Sequence, residues 1–159
     1  MRLLLVILFV FLFGTTSYAN DKKKEFISMV EGCIEGIDHP VHIPSKLIIG
    51  IAALESGWGT SRFTIKGNNL FGIRTFDLKK PNMQPLDNSK ADFGVKVYDN
   101  KCDSVKDFIR IVENNYNYSE FRKLRDEGFN LYVLINSLTA YSENPQYTTI
   151  LKKVVKNLW

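Results

Sequence analysis

Histidine is scarce in this chain, in which His39 and His42 are the only two among 159 residues. A metal site built on histidine would lack ligands, so we expect no metal and no other cofactor. The chain has no G-x-S-x-G sequence, which argues against a serine nucleophile elbow, and no glycine-rich phosphate-binding loop. It also lacks internal repeats, and its hydrophobic fraction of 45% is too high for a disordered or fibrous chain.

An unbroken hydrophobic run occurs only near the beginning. The apolar segment Leu3–Phe13 follows a basic residue, and Ser17-Tyr18-Ala19 supplies a small-x-small ending. This pattern is typical of a secretory signal peptide, and the run is shorter than the roughly 20 residues of a permanent membrane helix. We therefore expect residues 1–19 to be a signal peptide cleaved before Asn20. Residues 20–159 would form one domain in the periplasm or outside the cell, with no stable membrane span. No cysteine lies near the cleavage point, which argues against a lipid anchor.

The charge excess is small. The formal net charge is +4, and it falls to +3 (4 − 1) without residues 1–19, because Arg2 is the only charged residue there. A modest positive charge suits a polyanionic envelope, whereas export argues against a nucleic-acid partner. No segment resembles an obligate interface, so we expect a monomer.

Cys33 and Cys102 both belong to the mature chain. An exported protein can keep a disulfide, but the sequence does not supply the Cα separation that a bridge requires. A bridge and two separate small core residues are therefore both open at this point.

Apolar residues recur at helical spacing through most of the mature chain. A first helix is predicted over Asp21–Gly36, and Ile43-Pro44-Ser45 opens a second helix that is apolar nearly all round and so belongs in the centre. Four more helical segments are predicted: one with Ser104 and Asp107 as a capping box, one over 121–128, one over 131–138, and a last one opened by Asn144-Pro145.

Two segments between the helical halves follow a different pattern. Leu70–Phe76 and Asp92–Tyr98 read as strands, and the second alternates like a half-exposed strand. A long, polar, proline-containing connection joins them, as in loops that are functional or mobile. The predicted fold is mainly α with a small antiparallel β lobe (α+β).

Glu55 is the strongest candidate for a catalytic residue. It ends an almost wholly apolar helix, just before Gly57-Trp58-Gly59, which must break that helix. A carboxyl group placed there is desolvated but still faces a cleft, and desolvation raises its pKa. A glycosidase needs such a carboxyl group, as lysozyme illustrates, to donate a proton to the leaving oxygen. The alternative is an ordinary solvated glutamate at a helix end.

Two blocks, Leu54–Ser61 and Gly67–Ile73, follow one another around this residue, with the sequences Leu-Glu-Ser-Gly-Trp-Gly-Thr-Ser and Gly-Asn-Asn-Leu-Phe-Gly-Ile. The pair resembles glycoside hydrolase family seventy-three, the peptidoglycan β-N-acetylglucosaminidases, and within it the bacterial Bax-type group. The later part agrees at several further positions, namely Val97-Tyr98, Asp103–Phe108, Tyr118, Phe121–Arg125, Tyr141-Ser142-Glu143 and Tyr147. The resemblance covers about residues 24–158.

The resemblance implies a lysozyme-like fold for residues 20–159 and hydrolysis of peptidoglycan glycan strands after N-acetylglucosamine. It implies that Glu55 is the catalytic acid and that Tyr141 borders the reacting sugar, although Tyr141 also fits a core ring. The substrate-binding candidates are Trp58, Asn68, Asn69 and Phe71. Asn68 and Asn69 would equally suit a turn, since asparagine tolerates left-handed geometry.

The second carboxylate is undetermined. An inverting glycosidase needs a base, whereas a retaining one needs a closer nucleophile or the acetamide of the substrate. No glutamate occurs between Glu55 and Glu113. The β-lobe region offers Asp77, Asp87 and Asp92, of which Asp77 and Asp92 are the better candidates; Glu143 is an outside candidate.

Three functions therefore compete. The first is an endo-β-N-acetylglucosaminidase acting on peptidoglycan. The second is a lysozyme or lytic transglycosylase that cuts the neighbouring bond on the same scaffold. The third is a wall-binding module that has kept the groove and lost turnover.

Overall fold

A computed structural model describes residues 20–86 and 91–159. The predicted signal peptide, residues 1–19, and the candidate Asp87 lie outside the described residues. Within the described ranges, no helix has both the length and the apolar character needed to cross a membrane.

The described chain is mainly helical with a three-stranded antiparallel sheet inserted between two groups of helices, as the sequence predicts. The elements in chain order are α1 (20–35), α2 (Ser45–Ser56), α3 (Arg62–Gly67), β1 (Arg74–Thr75), β2 (Asn82–Met83), β3 (Gly94–Lys96), α4 (Lys101–Asn114), a 3-10 turn (Tyr116–Tyr118), α5 (Ser119–Asp126), α6 (Leu131–Asn136) and α7 (Tyr147–Lys156).

Helix α2 is the centre of the molecule. Its apolar residues leave no solvent-facing stripe, and Ile48, Ile49 and Ile51 are completely buried. The helix packs against α7, where a Cβ added at Gly50 would lie 2.5 Å from Cγ2 of Val155. Glycine therefore permits the close approach of the two helices, and the core fixes the position of the α2 C-terminus.

The sheet has the strand order β1-β3-β2. Arg74 pairs with Val95, and Asn82 pairs with Lys96. Strand β2 lies inside the connection that we had predicted to be a loop, and its two residues are too few to leave a periodic signal. Beyond β3, the Tyr98 hydroxyl donates to Asp107 of α4 over 2.8 Å, which anchors the lobe to the helices.

The predicted capping box of α4 was wrong. The cap of α4 is Asn100, whose side chain accepts from the Asp103 N–H at 3.0 Å, so Ser104 and Asp107 do not form a capping box. Ser104 is instead buried inside the helix. Helix α7 begins at Tyr147. In the turn before it, the Asn144 side chain accepts from the Gln146 N–H at 2.9 Å, which is the contact expected of the predicted cap.

Cys33 of α1 and Cys102 of α4 form a disulfide, with Cα atoms 4.9 Å apart and a sequence separation of 69. Of the two alternatives, the bridge is therefore the one observed. It ties the first described helix to the helix that follows the β lobe.

Candidate active site

The end of α2 determines the position of Glu55. Gly57 caps the helix in the left-handed conformation with φ 56°, and its N–H donates to the Ala53 carbonyl. Trp58 and Gly59 also have positive φ values, 58° and 82°. Three such residues in succession turn the chain away abruptly, in a conformation that glycine tolerates and tryptophan rarely adopts. Glu55 is left in the last turn of the buried helix, next to the point where the chain departs.

Glu55 lines a cleft of about 1380 Å³ whose walls come from the helices on one side and the β lobe on the other. The residue is exposed to the cleft, but the surrounding walls remove part of the water from its carboxyl group. This burial raises the pKa of Glu55 above its ordinary value, against a smaller lowering influence from the Tyr147 hydroxyl. The carboxyl group therefore keeps its proton to a higher pH than an ordinary surface glutamate does.

Aromatic rings form the helical wall of the cleft. Phe71 stacks on Phe108 with 4.2 Å between ring centroids and 7° between planes. Tyr141 meets Phe108 edge to face at 6.2 Å and stacks on Tyr147 at 5.3 Å. These contacts fix the rings, so the wall is rigid before any sugar arrives.

The Tyr141 hydroxyl donates to the Phe71 carbonyl over 3.3 Å, which is a long hydrogen bond. Burial, together with the nearby Glu55 carboxyl, raises the pKa of Tyr141 well above its ordinary value. The hydroxyl therefore stays protonated, with its one proton directed to the Phe71 carbonyl, and its oxygen can still accept a hydrogen bond at the cleft. Both Tyr141 and Phe71 line the cleft, as Glu55 does.

The other candidate substrate-binding residues do not line this cleft. Asn69 is buried, donates to the carbonyls of Ile73 and Lys96, and accepts from the N–H groups of Phe71 and Ile73. Asn68 has a φ of 51°, caps α3, and donates to the Tyr98 carbonyl at 2.9 Å. The structural turn role is therefore favoured over substrate binding for both asparagines, because their amide groups join α3 to the β lobe.

Trp58 faces a different side of the molecule. Its ring lies edge to face with Phe26 at 5.6 Å, and the Lys23 ammonium lies 5.3 Å from the ring centroid. It borders a smaller depression formed by α1 and the end of α7. The turn that frees Glu55 toward the cleft therefore carries Trp58 away from it.

The candidates for the second carboxylate differ in whether they line the cleft. Asp77 is exposed in the turn after β1, where its carboxylate accepts from the Lys79 N–H at 3.2 Å, and Asp92 is exposed before β3. Neither lines the cleft. Glu143 does, and it is the only described carboxylate there besides Glu55.

Sequence reasoning missed two arginines on the β-lobe wall, Arg62 and Arg74. Arg62 directly follows the first motif block, but no local pattern shows which arginine faces a cleft. Among the described residues, no group of three or more histidine, cysteine, aspartate or glutamate side chains could hold a metal ion. What the arrangement offers is one partly desolvated acid, a protonated tyrosine hydroxyl and flat apolar rings, which suit acid-catalysed cleavage of a sugar chain.

Comparison with known proteins shows the family of the chain. Residues 34–159 match the glucosaminidase family model, described as mannosyl-glycoprotein endo-beta-N-acetylglucosaminidase. Protein bax of Escherichia coli is 34% identical over 110 residues, 63% of this chain and 37% of that protein. Peptidoglycan hydrolase FlgJ of Vibrio cholerae is 28% identical over 150 residues, 84% of this chain and 43% of that protein. The chain thus spans less than half the length of these relatives.

Two solved structures share the fold. The catalytic domain of the autolysin Auto from Listeria monocytogenes superposes with a TM-score of 0.68 at 20% identity, covering 86% of this chain and 84% of that one. A type VI secretion effector–immunity complex from Pseudomonas protegens contains a chain with a TM-score of 0.60 at 18% identity, covering 88% of this chain and 93% of that one. With a family model that matches residues 34–159, well over half of the chain, the predicted resemblance is confirmed: this chain belongs to the glucosaminidase family.

Proposed function

We propose that this chain is an exported endo-β-N-acetylglucosaminidase that hydrolyses the glycan strands of bacterial peptidoglycan, with Glu55 as the general acid. The observation that carries the proposal is the partly desolvated Glu55 carboxyl at the foot of an aromatic-walled cleft. The names of two relatives support the substrate class, since one is a peptidoglycan hydrolase and another, from Bacillus subtilis, is an exo-glucosaminidase.

In this mechanism the glycan strand lies along the cleft that Phe71 and Tyr141 line. Protonated Glu55 donates its proton to the glycosidic oxygen as the bond to the anomeric carbon breaks. Positive charge then develops on the sugar ring, and the cleaved strand leaves as a neutral alcohol. The protonated hydroxyl of Tyr141 orients the incoming water or the acetamide of the sugar through a hydrogen bond.

A second carboxylate completes the reaction when the acetamide of the substrate does not. We favour Glu143 for this role because it lines the same cleft as Glu55. Asp77 and Asp92 are the competing candidates from the sequence. Either could act only if the β lobe moved to bring its exposed strand ends toward the cleft.

Export is part of the proposal. Residues 1–19 would direct the chain across the cytoplasmic membrane and be removed before Asn20, which would bring the cleft to the cell envelope, where the substrate is. The N-terminal residue of the mature protein, read by mass spectrometry of the envelope fraction, tests this step. Recovery of the chain in the cytoplasm with residues 1–19 intact would refute it.

The reaction is tested by incubating residues 20–159 and the Glu55→Gln variant with purified peptidoglycan, followed by reduction and mass spectrometry of the new ends. We expect reduced N-acetylglucosamine ends from the wild type and none from the variant. Reduced N-acetylmuramic acid ends would assign a lysozyme, and anhydro ends a lytic transglycosylase. Binding without cleavage by either form would identify a wall-binding module.

A further inference from the structure

The charged residues that line the cleft are divided between its two walls. Glu55 and Glu143 belong to the helical side, whereas Arg62 and Arg74 belong to α3 and β1 on the side of the β lobe. No other described charged residue lines the cleft. A sugar chain in the cleft would therefore have acids on one side and guanidinium groups on the other.

Both guanidinium groups are held in place by neighbouring groups. Arg62 donates through Nη2 to the Gln84 carbonyl at 2.6 Å, and its Cζ lies 4.6 Å from the centroid of the Phe63 ring. The Cζ of Arg74 lies 4.3 Å from the centroid of the Phe93 ring. A guanidinium stacked on a ring keeps its N–H groups directed outward around its edge, which reduces the entropy lost when an anion binds.

Neither arginine has a carboxylate partner within the described ranges, in contrast to other arginines of the same molecule. Arg110 pairs with Asp107 at 2.5 Å, and Arg125 pairs with Glu113 at 2.6 Å. The cleft therefore holds two oriented cations, each of which can donate two parallel N–H hydrogen bonds to one carboxylate.

We propose that Arg62 and Arg74 form a subsite for carboxylate groups carried by the glycan substrate. The inference rests on the proposed function, because it concerns what that substrate displays. A chain of N-acetylglucosamine alone is neutral. Peptidoglycan carries carboxylates either on the peptide stems or, where a stem has been removed, on the lactyl group of the muramic sugar, and a guanidinium fork matches both. The subsite makes the cleft selective for wall glycan over neutral chitin-type chains.

Binding tests this proposal in the Glu55→Gln protein, which holds substrate without cutting it. Three ligands are titrated by calorimetry: peptide-bearing glycan, amidase-treated glycan that keeps only the lactyl carboxylate, and neutral chitin oligosaccharide. Added Arg62→Gln or Arg74→Gln should weaken binding of a carboxylate-bearing glycan about tenfold, the effect of losing a charged hydrogen bond. Chitin binding should not change. Loss confined to peptide-bearing glycan identifies the stem as the source, and loss with both glycans identifies the lactyl group.

Arg110→Gln is the matched control, since this arginine is exposed and lies outside the cleft. Circular dichroism establishes that each variant is folded. Unchanged binding of both carboxylate-bearing glycans, or an equal loss for chitin, would overturn the proposal. Cleavage of peptidoglycan by the protein with Glu55 intact is measured in parallel: absence of cleavage contradicts the proposed function, whereas cleavage without dependence on the arginines contradicts the subsite alone.

Discussion

The buried hydroxyl of Tyr147 lies beside the carboxyl group of Glu55, and it has no hydrogen-bond partner among the described residues. The two groups do not meet the geometry of a hydrogen bond, yet they are near enough for each to change the pKa of the other. Burial raises the pKa of Glu55, and the Tyr147 hydroxyl acts in the opposite direction by favouring the ionised carboxylate. The acid at the cleft is thus adjusted by two opposed influences, of which desolvation is the larger.

The first prediction concerns Tyr147→Phe. Removing the hydroxyl removes the influence that favours the carboxylate, so the pKa of Glu55 should rise further and the alkaline limb of the kcat/KM profile should move to higher pH. Stability should change by less than about 1 kcal/mol, because the lost hydroxyl has no hydrogen bond to lose. A pH profile of peptidoglycan cleavage checks this. A limb that stays in place would show that the hydroxyl does not act on Glu55.

The second prediction is for Glu55→Gln. Activity should fall about 10²- to 10⁴-fold, the usual contribution of a general acid. A raised folded-state pKa contributes stability at low pH that disappears as pH rises through that pKa. As pH rises through the folded-state pKa of Glu55, the wild type should therefore lose this contribution to its stability, whereas Glu55→Gln has no such contribution to lose. Melting temperatures of both proteins, measured at roughly every pH unit between about pH 4 and pH 9, test the direction of this pH dependence. A variant less stable than wild type at the upper end would contradict it.

The third prediction concerns the anchor of the β lobe. Asp107 accepts hydrogen bonds from Lys96 at 2.7 Å and from Tyr98 at 2.8 Å. Burial alone would raise the pKa of Asp107, but these hydrogen bonds and that of Arg110 outweigh burial and lower it. Asp107→Asn should cost about 2 kcal/mol, since the side chain is mostly buried and its partners are charged.

The pH dependence at Asp107 has the opposite sign to that at Glu55. A lowered folded-state pKa gives stability that is present above the unfolded-state pKa and is lost as pH falls through the folded-state value. Urea denaturation at neutral and acidic pH should therefore show a gap between wild type and Asp107→Asn that narrows in acid. A gap independent of pH would point to a packing effect rather than a charge effect.

Much of the fold was predictable because apolar periodicity and helix breakers act locally. Helix α2 is apolar on every side and ends in Gly-Trp-Gly, so both its burial and its C-terminus follow from the sequence. The six residues of α3 were not predicted as a helix, because so short a segment is too brief to show a helical period. A signal was present in Ser61, whose side chain accepts from the Thr64 N–H. The disulfide was undetermined, because its Cα separation depends on how two distant helices dock.

The candidate site also contains some residues that the sequence located and others that depend on long-range structure. Glu55, Phe71 and Tyr141 line the cleft. The apolar helix and its breaker pointed to Glu55, whereas Phe71 and Tyr141 were candidates only through the family resemblance. Trp58 points away from the cleft because three successive residues with positive φ values turn the chain. The direction of that turn cannot be predicted from a sequence pattern. Arg74 faces the cleft only because the short strands pair in a particular register, which is a long-range property, whereas Arg62 reaches the cleft from α3.

The fourth prediction concerns the bridge between Cys33 and Cys102. Closing a loop of 69 positions lowers the entropy of the unfolded chain. Its removal by paired alanine substitutions should cost about 4 kcal/mol, a drop on the order of 10 °C in Tm. Neither cysteine lines the cleft, so cleavage measured well below Tm should be retained. Reduction of the wild type should reproduce the loss of Tm. An unchanged Tm after reduction would mean that the bridge adds no stability.

The last prediction distinguishes the candidates for the second carboxylate. Glu143 shares the cleft with Glu55, whereas Asp77 and Asp92 lie on the exposed ends of the β lobe. A base or nucleophile must reach the anomeric carbon, so Glu143→Gln should lower kcat about 10²-fold or more, and Asp77→Asn and Asp92→Asn less than about threefold. Single-turnover cleavage of a defined glycan strand, with folding checked for each variant, measures the difference. A larger loss for either aspartate would show that the β lobe closes onto the substrate, because only that movement brings its acids to the reacting bond. Equal and small losses for all three would leave the acetamide of the substrate as the internal nucleophile, and retention of configuration at the new end would then be expected.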